Sequence, residues 1–261
     1  MKNTITMKRG IHLFALSFSL FFVILGVGCD DNNGGGNGGN GVCPETNLSI
    51  EVCDPETGGP FSLVIDNGFF PAVVGSQSVL EGVDDEGTEI SIEINVLDET
   101  EEVAGVETRV VEEVEFEDGV LIEVSRNFFA QAPEGTVCYF GEDVDVCDTG
   151  LVENGDGFLC DGEEPDHSGA WRAGEDGNVP GIIMPADPQV GDVFMQEGAP
   201  GLAEDQAEVL ALGEPIEVPA GEFEDTLTTE DCNPLEGGAR DLKVYVRDIG
   251  LAIDEDAELQ P

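Results

Sequence analysis

Residues 88–131 alternate, and that alternation is what most restricts the folds open to this chain. In "TEISIEINVLDET" Ile90, Ile92, Ile94 and Val96 recur every second position against polar neighbours, the period of a half-buried strand. "VETRVVEEVEFEDGVLIEVSRNFF" repeats the pattern twice around Asp118-Gly119, a dipeptide that supplies the positive φ angles of a tight hairpin turn. Three long neighbouring strands predict an extended antiparallel sheet. Glu112, Glu113, Glu115 and Glu117 crowd the first arm of the hairpin and are expected mostly on its solvated face. Further strands are predicted at 136–141, 192–197, 208–212, 222–229 and 241–246, each bounded by Gly, Pro or Asp. The one helix candidate, "AEDQAEVLAL" at 203–212, is equally able to carry a strand into its end. Residues 61–261 therefore read as one mainly β domain with little helix. Between 144 and 177 the chain loosens into a long acidic excursion, and loops of that length are usually functional or disordered.

Charge narrows the partners. Residues 1–28 contain no acid and three of the nine basic residues, so residues 29–261 carry 57 Asp and Glu against six Lys and Arg, a formal charge of −51. Such a chain repels nucleic acid and anionic lipid headgroups. The acids are interleaved with Val, Ile, Leu and Phe, which argues for a folded core over disorder. Adaptation to salty surroundings and loading with calcium both account for the excess.

The N-terminus suggests where the protein resides. Lys2, Lys8 and Arg9 precede an apolar run from Ile11 to Gly28, the layout of a secretory signal, with an uncleaved membrane anchor as the alternative. "LGVGC" resembles the bacterial lipobox, in which small residues precede a cysteine that is lipidated and becomes the first residue of the mature protein. Here Gly26 stands where that motif usually has Leu or Val, and Leu25 lies one position earlier. The resemblance implies a signal peptide at 1–28, lipidation of Cys29 and anchoring to the bacterial cell envelope. Each buried methylene of an acyl chain contributes ~0.8 kcal/mol. Residues 29–42 form a Gly- and Asn-rich linker, expected to behave as a coil spanning roughly 20 Å.

Six cysteines remain: Cys43, Cys53, Cys138, Cys147, Cys160 and Cys232. An even number in an exported chain reads as disulfides, and no CxxC spacing points to a metal. The expected pairs are Cys43–Cys53, which would clip the segment 43–60 upon itself, Cys147–Cys160 at the base of the excursion, and Cys138–Cys232.

From residue 67 to about 255 the sequence resembles an uncharacterised family of exported bacterial β-rich proteins. The carrying stretches are "FFAQAPEGTVCYFGED", "GAWRAGEDGNVPGIIMPADPQVGDVFMQE", "APGLAEDQAEVLAL", "VPAGEFEDTLTTED" and "NPLEGGARDLKVYVRDIGLA". That family tends to read WYFGED where Cys138 replaces the Trp, and KYYAPGVGLV where this chain has "KVYVRDIGLA". The resemblance implies a curved antiparallel sheet, half-barrel or sandwich-like, and the long acidic loops and disulfide staples come from this chain's own residues. It implies no chemistry.

No catalytic set emerges from the residues. His167 is followed by Ser168, but neighbours on an extended chain point apart, and there is no GxSxG or phosphate-binding loop. With 57 acids, some carboxylate pair suited to glycoside cleavage falls at any chosen distance, so such a pair carries no signal. Calcium is the better chemical idea, since Asp- and Gly-rich turns offer carboxylate and carbonyl oxygens. Aligning "LVENGDGFLCDGEE" with an EF-hand loop puts Val152 at the first ligand position, which excludes that motif. An irregular site from Glu153, Asp156, Asp161 and Glu163 is the remaining form. Phe158, Trp171 and Arg172 are candidates for an aromatic binding patch, with core packing of Trp171 as the alternative. The expectation is a non-enzymatic, lipid-anchored extracytoplasmic module with a structural or binding role. The alternatives are a calcium-binding surface protein, a carrier of an apolar ligand and a secreted hydrolase.

Overall fold

A computed structural model describes residues 42–155 and 157–261. Cys29, the signal segment and most of the linker lie outside the described residues. In chain order the strands are Ile65–Asp66 (β1), Pro71–Ala72 (β2), Gln77–Val83 (β3), Glu89–Val103 (β4), Val106–Glu117 (β5), Val120–Gln131 (β6) and Val137–Val146 (β7). They continue with Leu151–Glu153 (β8), Phe158–Cys160 (β9), Trp171–Arg172 (β10), Gly181–Met184 (β11), Val193–Met195 (β12) and Gln206–Leu212 (β13). Ile216–Val218 (β14), Gly221–Phe223 (β15), Thr226–Asn233 (β16), Ala239–Val246 (β17), Gly250–Asp254 (β18) and Ala257–Leu259 (β19) complete the set. The helix candidate at 203–212 is strand β13, and one 3-10 turn, Ile50–Cys53, precedes the sheet.

Thirteen strands form one antiparallel sheet in the order β10-β7-β6-β5-β4-β3-β19-β18-β17-β16-β13-β12, with β11 also on β7. Asp118 and Gly119 take φ values of 48° and 75°, so the predicted hairpin turn forms between β5 and β6. The sheet does not close. Its margins meet at a single bridge between Val179 and Gly198, where a Cβ on nearby Gly181 would stand 1.9 Å from the Gln196 carbonyl oxygen. Only glycine fits that approach.

Three disulfides form, and two differ from the expected pairs. Cys147–Cys160 closes the base of the excursion, but Cys43 joins Cys232 and Cys53 joins Cys138, with Cα separations of 5.7 and 5.5 Å. The short Cys43–Cys53 loop is cheap to close in entropy, but it is overruled by what residues 44–53 do instead. Asn47 runs beside β12, its amide donating to the Gly191 carbonyl (2.8 Å) and accepting from Val193 N (2.9 Å). The 3-10 turn then buries Cys53 completely. The segment 43–60 is thus stitched along the sheet.

Facing residues in an antiparallel ladder share a face, so the registers give the composition of the inner wall. One rung reads Leu259, Leu80, Ile92, Glu115, Glu123. A second reads Val96, Val111, Asn127, Glu142, Trp171. On the other flank Val209, Thr229, Lys243, Asp254 and Ala257 align. The expected solvated face of β5 is therefore corrected: Glu113 and Glu115 are buried. Val114 instead packs on the outer face with Val124, Cys147 and Leu151, beneath the excursion. Polar-out, apolar-in is inverted here because the excursion covers the outside.

Candidate functional site

The interior has two unlike ends. At one, residues 67–76 cross the sheet as a strap held by Asn67, whose amide donates to the carbonyls of Gly135 and Pro185 (both 3.0 Å). Beneath the strap lies a partly enclosed cavity of about 160 Å³, walled by Phe70, Ile94, Val96, Val111, Tyr245 and Leu251, with Val73, Asp248 and Ile249 also lining it. Its volume is close to that of apolar cavities that take a benzene-sized guest. Phe70 packs on Phe129 (5.1 Å between centroids), Phe129 on Tyr139 (4.7 Å) and Tyr139 on Trp171 (5.4 Å). This run of rings leads to the other end.

There the walls are acidic. Glu113, Glu115, Glu123, Glu142, Glu197, Asp205, Asp231, Asp241 and Asp254 are all buried, and among the described residues Lys243 is the lysine set among them, fully buried. Its Nζ lies 3.2 Å from Asp254 Oδ2 and 3.8 Å from Asp231 Oδ2. Two acid pairs face one another directly in register, Glu115 with Glu123 and Asp231 with Asp241, an arrangement that repels when both are charged. Oxygens of Glu113, Glu115, Glu123, Glu142, Asp205 and Asp241 are buried without a hydrogen bond, as are Asn127 Nδ2 and Trp171 Nε1.

Burial and mutual repulsion raise the pKa of several of these carboxyls. Loss of solvent, opposed by a hydrogen bond from Ser125 (2.7 Å) and reinforced by Glu113, raises Glu123 to about 8. Glu113, Glu115 and Glu142 are pushed well up by burial and then by the neighbouring acids Glu115, Glu123 and Glu197 respectively. Asp231 rises only to about 6, because Lys243 offsets part of its burial. Lys243 is itself held above the usual ammonium range. Burial works against its charge, but Asp254 and Asp231 outweigh it.

The residues singled out from sequence lie elsewhere. Glu153, Asp161 and Glu163 are exposed around the β8–β9 hairpin, and Asp156 is outside the described residues. Among the described residues no three carboxylate, imidazole or thiolate side chains converge as a ready-made metal shell. The patch of Phe158, Trp171 and Arg172 is not assembled. Trp171 is buried, Phe158 packs on the outer cluster, and the Arg172 guanidinium lies 4.6 Å above the Phe128 ring. Arg172 is also bonded to Glu101 (2.8 Å) and Asp143 (2.6 Å). His167 Nδ1 meets the Val144 carbonyl at 2.7 Å, and the Ser168 hydroxyl donates to Asp166. Sequence reasoning misses the buried acids, although "KVYV" holds a signal: Lys243, the one lysine after residue 28, shares the inward phase of its strand with Tyr245. No protein-family model, curated protein or solved structure matches the chain.

Proposed function

We propose that the protein is a non-enzymatic binding module of the bacterial cell envelope, held there by lipid on Cys29, that takes a small apolar ligand under the strap. The cavity carries this reading: its walls are largely aliphatic and aromatic, and Val73 and Ile249 among them are exposed. Three disulfides suit an oxidising compartment outside the cytoplasm. The bond from Cys43 to Cys232 fastens the end of the linker directly to the sheet. The test uses the full chain, with p-xylene as the probe. A saturable rise in melting temperature is expected, abolished by Val73→Trp at the exposed mouth. Cys29→Ala should release the protein from membranes and block acyl labelling without changing p-xylene binding. No p-xylene response in the wild-type protein overturns the ligand reading, and unchanged membrane retention of Cys29→Ala overturns the anchor.

A further inference from the structure

The strap cavity has an acid at its mouth. Asp248 lines it beside Ile249, in the turn that joins β17 to β18, and both residues are exposed. A φ of 62° places Asp248 in the left-handed region, which aspartate tolerates better than most side chains. Its backbone N–H donates to the Gly68 carbonyl of the strap (2.7 Å), and the Ile249 N–H to the Val246 carbonyl (3.1 Å). The turn is thus fixed, while among the described residues no hydrogen bond or ion pair engages the Asp248 carboxylate. Ile249 also belongs to an adjoining open groove of about 760 Å³, lined in part by Phe223 and by Glu217, Glu222, Glu224, Asp225 and Arg247. Glu217 and Glu222 face each other in the β14–β15 ladder, a like-charge pair that repels. The base among them is already engaged. Arg247 Nε donates to Asp225 Oδ2 (2.7 Å), and its guanidinium lies 4.2 Å above the Phe69 ring of the strap.

We infer that the ligand of this cavity is a small aromatic ammonium, its ring under the strap and its cationic head at Asp248, facing the acidic groove. This rests on the proposed binding of an apolar guest under the strap and adds the charge of that guest. The ring fits a space of about 160 Å³, the size of a benzene cavity. The head meets five carboxylates, four in the groove and Asp248, against a guanidinium already bonded to Asp225. A cation beside Glu217 and Glu222 relieves their repulsion, whereas an aromatic carboxylate would add to it. The mouth also lies away from the tether. The linker ends at Cys43, bonded to Cys232 near one end of β16, and the turn of Asp248 follows the opposite end of the β16–β17 ladder, roughly 20 Å of strand away.

Three probes that share one ring test this on the full chain: p-xylene, 4-methylbenzylammonium and 4-methylbenzoate. Each is titrated calorimetrically at physiological ionic strength, where long-range attraction to the acidic surface is screened. The ammonium should bind about tenfold more tightly than the carboxylate, or better. Asp248→Asn keeps the turn, because asparagine also adopts positive φ, and should cut that ratio to about threefold or less. Glu175→Gln, which removes an exposed acid outside both linings, should leave the ratio at its wild-type value. Binding of p-xylene with no preference for the ammonium over the carboxylate, or a preference that survives Asp248→Asn intact, overturns the cationic assignment and leaves the apolar reading standing. Binding of none of the three overturns both.

Discussion

The two ends of the interior are built on the same strands and differ in what happens when one side chain is removed. Around the strap the inner wall is Val96, Val111 and Leu251 under Phe70, where contacts are many, weak and interchangeable. A few residues further along β5 and β17 it is Glu113, Glu115 and Lys243, where each group is either neutral or matched by a specific partner. The apolar end tolerates a void. The acidic end tolerates almost no change of charge, because a buried ion left without its partner costs far more than the pair contributes.

Lys243→Met should break that contrast most strongly. At pH 8 it leaves Asp254 and Asp231 without their ammonium, and a loss of about 3–5 kcal/mol is expected from chemical denaturation. At pH 4.5 the loss should shrink, since Asp231, with its pKa near 6, is then protonated. Leu251→Ala, in the wall beneath the strap, should cost about 2–5 kcal/mol at both pH values. Equal pH dependence in the two variants would contradict the division between the ends. Next in size comes the Cys53–Cys138 bond. It spans a sequence separation of 85, and Cys53→Ser with Cys138→Ser should remove about 2–4 kcal/mol. That loss is shared by both ends, because the bond holds the N-terminal segment to β7. A double variant that melts like the wild-type protein would show that segment to be irrelevant to the sheet.

Much of the sheet is legible from period and turn chemistry alone. Strands β4 to β6 and their Asp118-Gly119 turn follow from alternation, which survives because each strand truly has two different faces. What alternation does not carry is which face is which. On β5 the glutamates recur with the correct period, and nothing within the strand says that they point inward. The excursion that covers Val114 is distant in sequence, and its position over the sheet leaves no trace in residues 106–117. Disulfide pairing escapes prediction for a related reason: loop length favours Cys43–Cys53, whereas the contacts of Asn47 with Gly191 and Val193 decide where Cys43 ends up. The excursion's Asp- and Gly-rich turns draw attention in sequence as oxygen ligands. Asp231, Lys243 and Asp254 come from three separate strands and meet only through the ladder.

Carboxyls on the inner wall hold protons that the unfolded chain releases, and the division between the two ends rests on this. Glu123 carries it, with a folded pKa of about 8 against an ordinary 4.5. Its proton stabilises the fold fully below pH 4.5. That contribution falls by about 1.4 kcal/mol per pH unit as pH rises through the window, and it is gone above about 8. Glu113 and Glu115, also raised, act with the same sign. So does His167, raised by its bond to the Val144 carbonyl but about half exposed and therefore a small contributor. The deciding measurement is unfolding free energy of the wild-type protein and of Glu123→Gln between pH 6 and 8, beyond the titration of ordinary surface carboxylates. A steady fall is expected in the wild-type protein and a shallower one in Glu123→Gln. A wild-type stability that is flat or rising across that range, or identical slopes in the two proteins, would show that the inner wall does not store protons.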